Sequence, residues 1–387
     1  MPDTTAQRGR YAVGAMFFAN GFLTGSWAPQ IPVFLTRLEI SEFTLGLLIL
    51  MFGIGALCAM PWCGYLLHRS DSRAVLRGFA VLCSFALLAV ALVTNVAFAA
   101  VAMFAFGALI GGMDVAMNAN AVAVEGKLGR AIMSSSHGFW SLGGFAGGAS
   151  GGYAIAQWGF LMHAVLVTAV TAATVVVAAL YLVRDERHQA NASTPYLLPR
   201  TVAVYLTGLI ALFCMVPEGA VLDWAALYLR QELGSDIATA GFAYAAFSAT
   251  MAVMRFMGDG VRNRYGAVAT LRYSALVAAV GMALAGFAPN MWVAIAAFAL
   301  SGLGIANTVP IAFSAAGNHP GTSAGAGLST VTLMGYSGIL VAPSAIGFVG
   351  ESTGFAPVFA ALAAILVVVS LMAGVARPAD FKAGPAR

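Results

Sequence analysis

Long apolar runs, separated by short polar breaks, follow one another along the whole chain. Twelve can be read, over roughly 11–35, 44–67, 78–94, 97–120, 131–158, 161–183, 202–229, 238–257, 271–288, 291–316, 323–350 and 355–376. Within each run the apolar residues are continuous rather than alternating, which predicts helices and not strands. All but the third and ninth approach or exceed the ~20 residues with which a helix crosses ~30 Å of hydrocarbon. The pattern predicts an all-α membrane protein of twelve transmembrane helices.

The polar breaks repeat. HRSDSRAVLR, from His68 to Arg77, resembles NRYGAVATLR, from Asn263 to Arg272. Both carry Arg at the second and last positions, at an offset of 195 residues (264 − 69) in a chain of 387. The two short runs, third and ninth, lie in register with this repeat. A repeat of half the length carried by apolar segments predicts a duplicated bundle, a common plan of secondary transporters. The halves are expected at 1–189 and 200–387, two pseudo-symmetric six-helix bundles joined by a polar linker at 190–199.

Composition sharpens the picture. Sixty per cent of residues are apolar and 9% charged, against about 25% charged in soluble domains. The net charge of +4 is no signature of nucleic-acid binding, because the basic residues gather in alternate loops. With the N-terminus in the cytoplasm, only Arg37 and Arg230 of the 19 Lys and Arg fall outside, a positive-inside pattern. The expectation is a multi-pass protein of a bacterial inner membrane with both termini cytoplasmic. Its loop arginines meet lipid headgroups. The four Cys lie in apolar runs and predict neither disulfides nor a metal site.

Ionisable residues inside membrane helices are costly and usually functional. Asp114 in the fourth run and His137 in the fifth lie at nearly equal distances from the Gly126–Lys127 turn. A hairpin would set them level, as a carboxylate beside an imidazole. Gly107, Gly111, Asp114 and Asn118 share one helix face. Glu218 and Asp223 lie in the seventh run. Five residues put them about 140° apart, so Glu218 is the second proton candidate and Asp223 a gate or structural partner of Arg37 or Arg230. Asn20, Trp27 and Gln30 in the first run, with Asn118, Trp140, Asn307 and Tyr336, are candidate solute contacts. Arg255 and Asp259, four apart, predict an ion pair at the cytoplasmic end of the eighth run.

Six plus six spans, a central linker and arginine-rich loops after the second and eighth spans resemble the major facilitator superfamily. The loop signature of that family is matched by Gly64, Leu66, Arg69 and Arg73, with His68 where an acid is usual. Gly258, Asp259, Arg264 and Gly266 match it in the second copy. The stretches MDVAMNANAVAVEG, SSSHGFWSLGG and EGAVLDW resemble a bacterial branch near the fucose-permease-like carriers. The resemblance implies that Arg69, Arg73, Arg255, Asp259 and Arg264 latch the cytoplasmic side. The GGFAGGASGG stretch resembles the family's antiporter motif without its Pro, and tight helix packing alone accounts for it.

A transporter is expected, with no cofactor and no enzyme activity. Gly321–Gly325 matches a hydrolase nucleophile pattern but joins two membrane helices instead of following a strand. The first reading is proton-coupled symport of a small neutral polar solute such as a sugar. It rests on acids with no basic residue at mid-membrane. The second is a proton-coupled exporter of cationic or lipophilic compounds, and a non-transporting sensor is a third class. A small-molecule solute, protons and lipid are the expected partners of a monomer.

Overall fold

A computed structural model describes residues 4–128, 132–184, 199, 201–320, 322 and 324–380. The expected linker at 190–199 lies outside the described residues, apart from its last. The described chain is all helix. Its helices are α1 (Thr4–Trp27), α2 (Ile31–Leu38), α3 (Glu42–Arg69), α4 (Ser72–Cys83), α5 (Ala86–Leu92), α6 (Val96–Leu128), α7 (Met133–Tyr181), α8 (Val202–Gln231), α9 (Ile237–Ala240), α10 (Phe242–Tyr265), α11 (Ala267–Gly286), α12 (Met291–Ile305), α13 (Thr308–Gly317), α14 (Ala324–Thr353) and α15 (Phe355–Met372).

Ten stretches among the described residues are long and apolar enough to cross a membrane. Helix α1 is not among them, because Asn20, Thr24 and Ser26 dilute its apolarity. Helix α7 is counted once although it bends sharply at Gly159, whose φ of 81° and ψ of 164° are not helical. The equivalent position 195 residues on is Gly354, with φ 80° and ψ 170°. There the same backbone conformation separates α14 from α15. Only glycine enters this region without steric cost.

Helix ends show the repeat as well, and how its copies have diverged. In the first copy Asp71 caps α4 by accepting the Ala74 N–H at 3.0 Å, and its carboxylate pairs with Arg184 at 3.5 Å. In the second copy the matching residue is Gly266, which has no side chain to offer. The Ala267 N–H is capped instead by Asp380, which lies beyond α15. Glu232 does the same for α15, accepting the Phe355 and Ala356 N–H groups in front of Gly354. Carboxylates are favoured at helix N-termini, where backbone donors are unpaired and the dipole is positive.

Helices of the first half meet those of the second along two seams, α7 with α10 and α3 with α14. Glycines set the spacing of the first seam. Gly143 and Gly147 face the α1 backbone at Phe18 and Phe22, while Gly144, Gly148 and Gly152 face α10 and α9. The GGFAGGASGG stretch is thus two glycine rows on two faces of one helix, each letting a neighbour come close.

Candidate functional site

The site grows from α1, which runs against α7. Asn20 is buried there. Its Oδ1 accepts the indole N–H of Trp140 at 2.9 Å, and its Nδ2 donates to the Ile110 carbonyl of α6 at 3.4 Å. One amide therefore fixes the Trp140 ring and ties three helices. Beyond that ring stands Arg255 of α10, its guanidinium carbon 5.8 Å from the ring centre. Arg255 Nη1 donates to the Ser141 hydroxyl at 2.7 Å. Arg255 Nη2 lies 3.5 Å from Glu218 Oε1 of α8. Ser248 of α10 donates to the Ser141 carbonyl at 2.7 Å. A polar chain thus runs Ile110–Asn20–Trp140–Arg255–Glu218 and crosses from one half to the other.

A second acid stands on the first half. Among the described residues Asp114 of α6 has one weak side-chain partner, Asn118 Nδ2 at 3.4 Å, while that same amide bonds the Asp114 carbonyl at 2.8 Å. Cys63 of α3 lies near enough to feel the Asp114 charge, its thiol donating to the Gly112 carbonyl at 3.2 Å. Tyr336 of α14 feels the charges of both Asp114 and Glu218. It therefore lies within electrostatic reach of both acids. Asp114, Asn118, Trp140, Glu218, Arg255 and Tyr336 are all partly accessible, so the helices are not sealed around them. The two carboxylates and one guanidinium sum to one negative charge when ionised, and to zero when Asp114 is protonated.

Several sequence expectations change. Arg255 reaches Glu218 and Ser141. The Asp259 side chain lies outside the described residues. The expectation of acids with no basic group beside them is therefore corrected, because the Arg255 guanidinium lies 3.5 Å from Glu218. Asp114 and His137 are not paired either. His137 packs edge-on to Phe17, with ring centres 5.1 Å apart, and its charged neighbour is Arg255. Among the described residues no hydrogen bond or ion pair joins it to Asp114.

Trp27 and Gln30 are buried in the wall. Asp223 faces the Trp27 side chain. Neither Arg37 nor Arg230 pairs with it among the described residues. Arg37 is committed to the Val90 and Ala91 carbonyls and to the Phe160 ring at 4.6 Å. Gln30 Nε2 donates to the Phe160 carbonyl at 2.8 Å and meets His163 Nδ1 at 2.9 Å. Asn307 is buried, with its Nδ2 unpartnered and its amide against Gly258. Of the loop arginines, Arg69 lies over Tyr65 at 4.8 Å and Arg264 over Tyr265 at 5.5 Å. Arg73 lines a space of about 280 Å³ with Asp71, Arg77 and Arg184. These three arginines form no ion pair among the described residues.

The sequence did not single out Ser141, Ser248 or Tyr244. Tyr244 feels Glu218, Arg255 and Asp223 together. Serines in membrane helices usually bond their own backbone, so no local pattern marked these as interhelical contacts. The available signal was the row Tyr244, Ser248, Arg255, at steps of four and seven on one face of α10.

A model of the Major Facilitator Superfamily matches residues 13–217 and 207–386. An uncharacterised MFS-type transporter of Yersinia pestis is 36% identical over 363 residues, which is 92% of this chain and 93% of that protein. Two solved structures share the fold. The nucleoside transporter NupG has a TM-score of 0.72 at 16% identity, covering 95% of this chain and 98% of its own. The E. coli fucose:proton symporter FucP has a TM-score of 0.63 at 18% identity, with the same coverage.

Proposed function

The chain belongs to the major facilitator superfamily, and we propose that it is a proton-coupled symporter of a small neutral polar solute, such as a sugar. Transporters of this superfamily are in general not enzymes, and nothing in the chain points to catalysis. The proposed architecture has twelve spans, six in 1–189 and six in 200–387. They are the ten long apolar stretches, plus α1, plus one more when α7 is divided at Gly159. The matching glycines at 159 and 354 support that division. The halves are related by a pseudo-twofold axis along the membrane normal and rock to expose the site to either side in turn. The protein works as a monomer in the inner membrane, with both termini in the cytoplasm.

The observation that carries this reading is the charge balance between the halves. Arg255 is matched by Glu218, whereas Asp114 has no counter-charge among the described residues; Asp223, likewise without one, is turned to the Trp27 side chain. A bare carboxylate is costly to carry across the bilayer, and a bound proton removes that cost. With Asp114 neutral the site sums to zero and suits an uncharged solute. Tyr336, Asn118 and the open positions on Arg255 and Glu218 offer both donors and acceptors for hydroxyl groups. FucP, named as a proton symporter of a sugar, supports the same class by analogy of fold. The competing reading, an exporter in which a cation replaces the proton on Asp114, rests on the same unpaired acid.

A thermal-shift panel of sugars, nucleosides, amino acids and organic cations at two pH values supplies a solute for transport assays. In proteoliposomes, Asp114→Asn, a permanent mimic of the neutral acid, should still exchange that solute. Accumulation driven by an imposed pH gradient should fall to the level seen without a gradient. Full gradient-driven accumulation by the variant moves the proton elsewhere. Stabilisation by cations alone, lost in Asp114→Asn, replaces symport with the exporter. His137→Ala should alter coupling less, since the imidazole touches Phe17 and not the acid.

A further inference from the structure

The start of α4 and the end of α7 enclose a cavity that the transport site leaves unused. It has a volume of about 280 Å³ and is lined by Asp71, Arg73, Ala74, Arg77 and Arg184. Three guanidinium groups share one carboxylate there. That carboxylate is already engaged, since Asp71 caps the Ala74 N–H and lies 3.5 Å from Arg184 Nε. Arg77 Nε donates to the Ala179 carbonyl at 3.0 Å. This ties α4 to the last turn of α7. Arg73 is within electrostatic reach of Arg77, and its Nε is buried without a partner. Lys127 of α6 donates to the Arg184 carbonyl at 2.8 Å and adds a further cation nearby. Like charges gathered in this way repel, and a buried N–H without an acceptor is costly. A bound anion relieves both.

Apolar surface continues from this cavity along both helices. On α4, Gly78, Val81 and Leu82 are exposed, at steps of three and four that keep them on the face of Ala74. A Cβ at Gly78 would meet nothing within 4 Å, so an open strip lies beside Arg77. Val176, Val177 and Leu180 at the end of α7 are exposed as well. The cavity is smaller than the ~300–1,000 Å³ of sites that enclose a whole small ligand. That suits a headgroup whose chains remain outside.

We propose that this cavity binds one anionic phospholipid, its phosphodiester on Arg73, Arg77 and Arg184 and its acyl chains along the exposed strip of α4 and α7. Basic pockets between membrane helices hold lipid headgroups in this way. Three arginines against one aspartate leave an excess of two positive charges. That excess selects a net-negative headgroup over a zwitterionic one, whose ammonium group would meet the arginines. The lipid bridges α4 and α7, so it steadies the first half whichever solute is carried. The second copy is built differently. The cavity at the same place in the repeat is lined by Arg262, Arg272 and Asp380 among others, an excess of one charge. Val268 stands there where the first copy has Arg73, 195 residues earlier. Arg262 is also committed to the Ser314 hydroxyl and the Ala379 carbonyl. The first copy is therefore the tighter site.

Native mass spectrometry of the full-length protein, titrated with phosphatidylglycerol or phosphatidylcholine, reads the affinity for the first lipid bound. Unfolding temperatures with each lipid, and with inorganic phosphate, read its effect on stability. The parent should bind phosphatidylglycerol more tightly and gain more stability from it. Arg73→Gln should weaken that binding about fivefold, the effect of one cation beside an anionic lipid. Asp71→Asn keeps a side chain able to cap α4 and removes the one lining carboxylate. It should tighten binding by about the same factor, which a purely structural Asp71 would not do. Gly78→Leu fills the open strip without touching a charge and should weaken the lipid alone. Arg272→Gln, in the second copy, should leave the tighter site unchanged. Equal affinity of the parent for the two lipids overturns the proposal, as does parent-like binding by Arg73→Gln. An equal loss in Arg272→Gln also overturns it, by reducing the attraction to a general effect of charge. Stabilisation by inorganic phosphate as large as by lipid, with neither altered in Gly78→Leu, assigns the cavity to a soluble phosphate and overturns the lipid.

Discussion

Gln30 shows how much one buried amide can hold. Its two N–H groups serve Phe160 and His163 across 130 and 133 residues of sequence. The Phe160 carbonyl needs a donor, so the amide nitrogen must face both partners, and His163 Nδ1 must be the acceptor. Gln30→Leu removes the donor of the buried His163 Nδ1 and of the part-buried Phe160 carbonyl and should cost about 1–3 kcal/mol, read as a lower unfolding temperature. Gln30→Glu, which replaces donors with acceptors, should be worse. Unchanged stability in both would mean that the bonds contribute nothing. Asn20, Trp140 and Glu218 were legible in the sequence as polar residues in apolar runs. Their partners were not, because Ser141 and Ser248 are polar residues that membrane helices tolerate anywhere. Arg255 was legible as a charge but not as a central one. Sequence spacing pointed to Asp259 on its own helix, and the approach to Glu218 on α8 depends on a contact between helices that spacing does not reveal.

Among the elements, α7 carries the sharpest contrast. Gly147 looks inward to α1, within one half, and Gly148 looks across to α10. A Cβ at either meets backbone, so neighbouring helices must shift at a cost of about 1–3 kcal/mol. The consequences differ. Gly147→Val should lower the unfolding temperature with little change in the distance between halves. Gly148→Val should lengthen the α7–α10 distance and lower stability less, because under the proposed alternating access that contact is made in only one of the access states. Equal effects of the two would mean that both rows are static packing. The helix pattern was readable from apolar runs alone, including the division of α7, which the sequence places between 158 and 161. Helix caps were not readable, since Asp380 and Glu232 act on residues more than a hundred positions away. At α9 the cap is local: backbone and hydroxyl donors of Thr239 hold the Asp236 carboxyl below its usual range. That contribution is present above the unfolded-state pKa and fades as pH falls through the lowered one.

For the whole molecule, the distribution of arginines makes the clearest commitment. A cysteine at exposed Asn263, in the arginine-rich last turn of α10, should react with impermeant maleimide only after the membrane is opened. One at Thr94, between α5 and α6, should react in intact cells. The reverse pattern would invert the orientation and with it the side on which the α7–α10 seam closes. The proposed duplicated plan rests on loop arginines and glycines that keep their spacing at an offset of 195 residues. The loss of an acid at Gly266 was visible too, but its remedy was not. That remedy has a consequence for biosynthesis. The first half carries its α4 cap within the loop that starts the helix, so the helix is complete as soon as it is made. Helix α11 acquires its carboxylate only when residue 380 has left the ribosome, long after α11 itself has entered the bilayer. The third helix of the second half therefore waits for the last one, and nascent chains stalled before Asp380 should be cut more readily by protease at 262–266 than chains released past it.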